Sequence, residues 1–349
     1  MSVSENSKPK ILVVLTGGTI CSSTDARGKR YSNGKAARII EAFSCGASPF
    51  RAQAELVSLM PTDILSENMT VDTWNTILDC FRTEVRWEEY CGVILLHGTD
   101  TLAYTAALLS VCLAGVPVPV CLVSSQLPLD HEGTNGHANF RAAVELIMNG
   151  IAPNVYAVYR NSDGILYAHY GAHLLQCANH SDDFFSADAM VIPDPRNACL
   201  SGTPFATDGV CLNKMHDLTS CVLRLTPYVG IDYGAFDLEG VRAVVHGTFH
   251  TGAVCVERKN GRGEYSRYSI LHLMDRCRER GIPLFLAPCS PEAYQYESTG
   301  DILAHGASHI RGMTNEMAYV KTLVGCALGL RGEELAAFVN AAINHEVVY

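Results

Sequence analysis

The feature that most limits how this chain can fold is a set of short runs that are apolar almost from end to end. They are ILVVL (11–15), GVILL (92–96), VPVCLV (118–123) and NVYAVY (154–159). A strand with one wet face alternates apolar and polar residues. A strand that is apolar throughout has both faces covered, as in a parallel sheet flanked by helices. Helical periodicity fills the intervals, over 34–43, 70–81, 101–113 and 139–150, the last with Gly150 as a stop. This alternation predicts an α/β fold built on a doubly wound parallel sheet.

At 349 residues, roughly two domains of about 150 residues each are expected. From about Ala187 the chain turns to proline, glycine and small polar residues, as in VIPDPRNACLSGTPFATDG (191–209). Alternation resumes with strands in 221–230, 240–249 and 282–288 and helices near 268–281, 314–329 and 332–344. The reading is a larger N-terminal α/β domain over 1–190, a linker over 191–219 and a smaller C-terminal α/β domain over 220–349.

Composition narrows the function classes. Hydrophobic residues make up 48% and charged residues 18%, enough for large cores and too apolar for disorder. The net charge of −10 comes without a basic stripe, so no nucleic-acid partner is expected. MSVSENSKPK at the start lacks the apolar core of a signal peptide. No apolar stretch approaches the roughly 20 residues needed to span a bilayer. The 14 cysteines are scattered without a Cys-x-x-Cys pair, which removes zinc-ribbon and thioredoxin-type signatures. A cytoplasmic protein with reduced, mostly buried thiols and no membrane contact is expected.

Ligands of open α/β sheets gather at the carboxyl ends of strands near the topological switch point. Two loops stand out there: Thr16-Gly17-Gly18-Thr19 after the first strand, and His97-Gly98-Thr99-Asp100-Thr101 after the second run. The first lacks the lysine of a P-loop and the spacing of a dinucleotide fingerprint. What remains is a hydroxyl beside glycines, whose bare backbone can approach a ligand and whose amides can stabilise an oxyanion. Each loop also has a structural explanation: Gly-Gly turns are common, and Thr and Asp are favoured helix caps. Together they offer a threonine nucleophile and the threonine and carboxylate needed to activate it.

LTGGTI (15–20) and ILLHGTDTLAYTAALLS (94–110) resemble the two signature motifs of the bacterial-type L-asparaginases, especially the cytoplasmic type I group. LSENMT (65–70), GHANFRAAV (136–144) and MTNEMAYVKTL (313–323) extend the resemblance over nearly the whole chain, with the linker and middle loops weakest. The resemblance implies a two-domain α/β fold and an amidohydrolase that converts L-asparagine, or a close amide, to the acid and ammonia. It implies Thr19 as the nucleophile that forms an acyl-threonine ester, with Gly18 beside it at the substrate. Thr99 would shape the site and activate water, and Asp100 would bind the substrate α-ammonium. Ser66 would bind the α-carboxylate, with Glu67 beside it. Tyr31 matches the tyrosine of a mobile lid, and SSTDARGKRYSNG (22–34) is polar and glycine-containing, as closing loops are. The expected partners are a small-molecule amide and further copies of the chain, as a homodimer or homotetramer. No metal or organic cofactor is implied.

The resemblance breaks at three places. The family has a lysine that pairs with the Thr-Asp of the second motif, yet no lysine occurs between Lys35 and Lys214. Its position falls near His173 or Gln176. Three readings compete: His169, His173 or His180 replaces it, His173 first, since imidazole titrates near neutrality; the site acts on a different amide; or catalysis is lost and a binding protein remains. The second break is HGTFHTG (246–252), where the family carries a glycine-asparagine loop that completes a neighbour's site. The third is TNG (134–136), where the family prefers aspartate before the glycine. The amidase component of a tRNA-dependent amidotransferase is a further reading, set lower because such components carry an extra N-terminal domain and the first motif here starts within 20 residues of Met1. Unrelated chemistry on the same fold stays open as well.

Overall fold

The computed structural model describes residues 8–24, 30–32, 38–46, 48–187, 189–192, 211–259, 264–289 and 296–348. The chain divides into two compact units, Met1–Asn213 and Lys214–Tyr349. Most of the linker expected at 191–219 lies outside the described residues.

Unit 1 begins with β1 (Lys10–Leu15), the hairpin strands β2 (Ser22–Thr24) and β3 (Arg30–Ser32), α1 (Arg38–Cys45) and β4 (Glu55–Leu59). It continues with α2 (Val71–Thr83), β5 (Gly92–Leu96), α3 (Leu102–Cys112), β6 (Val120–Val123) and α4 (Gly136–Met148). β7 (Val155–Arg160), β8 (Leu166–Tyr170) and β9 (Ala189–Ile192) follow. The sheet order is β4-β1-β5-β6-β7-β8-β9. The first five strands are parallel, and β8 and β9 close one edge antiparallel. Every residue of β5 and β6 is fully buried, which requires cover on both faces. Phe43 of α1 meets Phe140 of α4 edge-on at 5.7 Å, and the Trp74 indole of α2 donates to Thr105 of α3 at 3.0 Å.

The central strands fall where the apolar runs place them, but the sheet is wider and not wholly parallel. β4 was invisible because it is an edge strand whose Glu55 and Ser58 face water. β9 mixes exposed and buried positions for the same reason, and β8, paired on both sides, is only partly covered at three of its five positions. The hairpin of β2 and β3, in which Tyr31 pairs with Ser23, lies in the segment read as a loop. α4 begins three residues before the expected helix, at Gly136.

Unit 2 contains β10 (Val222–Leu225), β11 (Ala243–His246), α5 (Ile270–Arg278), β12 (Leu284–Cys289), α6 (Glu297–Ala304), β13 (Ser308–Arg311), α7 (Asn315–Ala327) and α8 (Gly332–Asn340). Its four strands are parallel in chain order. α6 and β13 were not foreseen. The buried Lys321 of α7 pairs with the buried Glu346, which also accepts the amides of Ile343 and Asn344. That arrangement satisfies two charges that would otherwise be costly to bury. No described helix of either unit is long and apolar enough to cross a membrane.

Candidate active site

In the larger sheet the chain steps from β1 outward to β4, then back past β1 to β5. The switch point therefore lies between β1 and β5, and the two threonine loops leave from its carboxyl ends. The Thr16 hydroxyl and amide both donate to the Leu96 carbonyl, at 2.6 and 3.3 Å. The Gly18 amide donates to the Ile64 carbonyl at 2.7 Å. Gly17 and Gly18 adopt φ of 98° and 82°. A side chain at Gly18 would place Cβ 2.3 Å from the Gly98 nitrogen, and one at Gly17 would place it 2.2 Å from the Ile64 carbonyl oxygen. The glycines are thus required by close approach of three backbone segments. Thr19 follows at once, half-buried, as the first residue of a 3-10 turn ending at Cys21.

The second loop is locked from two sides. A Cβ on Gly98 would fall 2.3 Å from the Ser66 hydroxyl. The buried Ser66 donates to the Asp100 carboxylate at 3.1 Å, and the Asp100 amide lies 3.2 Å from the same oxygen. Thr101 donates to the Ser66 carbonyl at 2.9 Å. Thr101 is the cap residue of α3 but makes no side-chain cap bond. Helix capping therefore does not account for this loop.

His97 fixes the loop from below. The Trp74 indole can only donate, so Thr105 accepts from it and turns its own proton toward His97 Nε2 at 2.9 Å. His97 Nδ1–H then donates to the Gly98 carbonyl at 2.8 Å. Burial pushes this imidazole down to about 4, against the smaller opposing effects of that carbonyl and Asp100. It is a neutral structural group. His97 was not among the expected site residues, although a histidine that directly continues a buried apolar run is a visible signal.

A cleft of about 650 Å³ opens beside Thr99 and Asp100. Gln126, Tyr159, Gln176, Cys177, His180 and Asp182 also line it. Gln126 is held by Asn135, which accepts its amide at 3.2 Å and donates to the Arg160 carbonyl at 2.8 Å. Only an amide can do both, which explains why Asn135 stands in TNG where an aspartate was the family expectation. The wall over 175–185 is pinned by reciprocal bonds between Asn161 and Phe184 at 2.9 and 3.1 Å.

The structure brings Thr99, Asp100 and Ser66 together, with Gly18 against Gly98. Among the described residues, those lining the cleft do not include Thr19, Ser66, Glu67 or His173. Glu67 is exposed on a short turn. His173 is buried in a turn whose Gly171 packs on Ala106 and Ser110 of α3. His169 sits within β8, its Nδ1 2.8 Å from the Ser186 hydroxyl, and burial pushes it down to about 4. His180 lines the cleft, exposed, in the left-handed conformation with φ 60°. Gln176 donates its side-chain amide to the Asp100 carbonyl. The side chain of Tyr31, with residues 25–29 and 33–34 of the expected lid, lies outside the described residues. Among the described residues, no group of three or more His, Cys, Asp or Glu is arranged to hold a metal ion.

The family model for the asparaginase N-terminal domain matches residues 10–190, more than half of the chain and all of the sheet just described but the last two residues of β9. The chain belongs to the asparaginase family. A glutamyl-tRNA(Gln) amidotransferase component of Methanosarcina acetivorans is 32% identical over 181 residues, 51% of this chain and 41% of that protein. An L-asparaginase of Thermococcus kodakarensis is 27% identical over 227 residues, 62% of this chain and 64% of that one. The chain thus spans less than two thirds of either relative. L-asparaginase I from Vibrio cholerae superposes with a TM-score of 0.72 at 20% identity, covering 98% of this chain and 100% of that one. The thermostable T. kodakarensis enzyme gives 0.70 at 19% identity, covering 97% and 99%. At such identities the superpositions show a shared two-domain fold.

Proposed function

We propose that this asparaginase-family chain is an amidohydrolase of small amino-acid amides, with L-asparagine the first substrate to test. The observation that carries the reading is the convergence of three loops at the switch point: Gly18 against Gly98, and Ser66 on Asp100. Thr19 attacks the side-chain amide carbon, ammonia leaves, and an acyl-threonine ester forms. Water assisted by Thr99 hydrolyses the ester. Asp100 holds the substrate α-ammonium, and the acidic Asp182 across the cleft favours the same charge. No lysine or arginine is among the described residues lining the cleft. The test is ammonia release from L-asparagine, D-asparagine, L-glutamine and β-aspartyl amides. Release from none of them removes the reading.

A second reading has its own observation. Gln176 occupies the neighbourhood where the family lysine was expected and meets the backbone of Asp100. A carboxamide neither accepts a proton readily nor supplies a cation. That favours altered specificity, or a site that binds an amino acid without turning it over. Calorimetric binding of L-asparagine without ammonia release would establish the latter. For proton transfer, His180 now stands ahead of His173, because His180 reaches the cleft. Cytoplasmic location and homo-oligomeric assembly remain part of the proposal on family grounds.

A further inference from the structure

The cleft beside Thr99 and Asp100 is larger than a single amino acid needs. Its volume of about 650 Å³ falls within the range of sites that hold ligands of drug size. Thr99 and Asp100 line it, and Thr19 is not among the described lining residues. What the cleft takes is therefore joined to the substrate beyond Asp100, away from the reacting amide.

Two polar atoms of the lining have no partner. Tyr159 is 1% exposed, and its hydroxyl makes no hydrogen bond among the described residues. Its ring is held edge-on against Phe184 at 4.9 Å. Asn135, the amide that bears on this hydroxyl, is engaged at both ends: its carbonyl oxygen accepts from Ser125 and Gln126, and its nitrogen donates to the Arg160 carbonyl. Gln176 gives its side-chain nitrogen to the Asp100 carbonyl, but its side-chain oxygen is buried and unserved. Gln126, in the same lining, shows the contrast. Its side chain donates to the Gly133 carbonyl and accepts the Asn135 amide. A buried polar group left without a partner is costly, and native folds keep few of them. Burial pushes Tyr159 up, so its phenol keeps its proton at neutral pH and can donate. Asn179 and His180 of the lining are exposed, and neither side chain is hydrogen-bonded among the described residues, so this stretch can part to admit a ligand to the two oxygens.

We propose that this cleft is a subsite for an aminoacyl group, so that the chain deamidates asparagine at the carboxyl end of a dipeptide in preference to free L-asparagine. This rests on the reading of Thr19 as the nucleophile and Asp100 as the holder of the amino end. The peptide N–H takes the place of the α-ammonium at Asp100. Tyr159 donates to the peptide carbonyl. The terminal ammonium of the added residue meets the Gln176 oxygen and the Asp182 carboxylate, and no lysine or arginine of the described lining opposes it. Water adds at the side-chain amide carbon, ammonia leaves, and the peptide bond is untouched. Aminoacyl-asparagine and water give aminoacyl-aspartate and ammonia.

The full chain is assayed for ammonia release, and for binding by calorimetry, with L-asparagine, glycyl-L-asparagine, N-acetyl-L-asparagine and L-asparaginylglycine. Both kcat/KM and affinity should be about 10-fold or more higher for glycyl-L-asparagine than for L-asparagine, the scale of one charge-assisted contact. The acetyl compound lacks the ammonium and should gain less. L-asparaginylglycine is extended at the other end and should gain nothing. Tyr159→Phe should cut the preference for the dipeptide over L-asparagine about 5-fold, the scale of one hydrogen bond. Its urea midpoint should not fall, because the lost hydroxyl has no partner within the fold. Equal values for glycyl-L-asparagine and L-asparagine in both readouts overturn the subsite and leave the amidohydrolase reading standing. No ammonia from either, with the dipeptide still bound more tightly, keeps the subsite and removes hydrolysis. Neither release nor binding of either overturns both. An unchanged preference in Tyr159→Phe, or a lowered midpoint, also overturns the proposal.

Discussion

His97-Gly98-Thr99 and His246-Gly247-Thr248 are the same tripeptide at the carboxyl ends of buried parallel strands in the two units. The local structure repeats. His97 Nδ1 meets the next glycine's carbonyl at 2.8 Å, and His246 does so at 2.6 Å. Each Nε2 reaches a hydroxyl, Thr105 at 2.9 Å and Tyr233 at 2.8 Å. Burial pushes both imidazoles down to about 4. Beyond the threonine the two part. Gly98 is pressed between Gly18 and Ser66, while the nearest neighbour of a side chain at Gly247 would be the Pro227 ring at 3.2 Å. Asp100 is held by Ser66, whereas Phe249, at the same step, is 43% exposed. The histidine and glycine are therefore a way of ending a buried strand. A site arises where other loops converge on that ending.

The strongest way to break this contrast is to remove hydroxyls. Thr19→Ala is expected to lower kcat by about 10⁴-fold or more, as losses of a nucleophile do. Thr99→Ala should cost about 10²–10³-fold, the scale of a lost group at the reacting centre. Thr248→Ala removes a bond to the Pro288 carbonyl and should change kcat about twofold at most, in line with substitutions away from special features. Steady-state ammonia release measures all three. Equal losses at Thr99 and Thr248 would show that the two tripeptides do not differ as argued.

Acid should treat the two loops alike. In the folded chain His97 and His246 stay neutral, while in the unfolded chain they take up protons below about 6.5. Their contribution to stability is full above that pH and is lost as pH falls toward about 4. Each shift corresponds to about 3 kcal/mol. Urea midpoints measured from pH 7 to pH 4 should fall steeply, with proton uptake on unfolding. A midpoint that is flat across this range would mean the histidines are not buried neutral.

Asp100 and Phe249 give a smaller, sharper contrast. Asp100→Asn is expected to raise KM about 10- to 150-fold, since a charge-assisted contact contributes about 1.5–3 kcal/mol. Phe249→Asn should leave KM within about twofold. An unchanged KM in Asp100→Asn would assign the substrate's amino end to another group, with Asp182 the first candidate.

What the sequence disclosed follows the same division. β1, β5, β6 and β7 were legible because burial on both faces writes itself as continuous apolar runs. β4 and β9 were not, because edge strands carry water-facing residues that break the pattern, and β8, though paired on both sides, is only partly buried at three of its five positions. Thr99 and Asp100 were singled out through the paired loops. Ser66 was singled out through the resemblance, but its bond to Asp100 depends on a contact across 34 residues that no local pattern records. His173 was ranked above Gln176 on chemistry alone. The turn that buries His173 against α3 and leaves Gln176 at Asp100 is set by tertiary packing. His97 was not legible as a holding group because its role rests on bonds to Thr105 and to the Gly98 carbonyl that only the folded chain forms.

The finest test exchanges a hydrogen for a methyl. Gly98→Ala must push Cβ into the Ser66 hydroxyl, 2.3 Å away, with the Gly18 backbone behind it at 3.2 Å. Ser66 is buried and bonded to Asp100, so it cannot swing aside without releasing that carboxylate. Overpacking of this kind typically costs about 1–3 kcal/mol. The urea midpoint should fall, and KM should rise with it because Asp100 moves. Gly247→Ala meets the Pro227 ring at 3.2 Å and the Leu225 carbonyl at 3.3 Å, contacts that a few tenths of an ångström relieve. It should change stability by about 0.5 kcal/mol or less. If both variants lose the same stability, the crowding at Gly98 is not what sets the first loop apart. If Gly98→Ala loses stability but keeps its KM, the Ser66–Asp100 bond does not position the substrate.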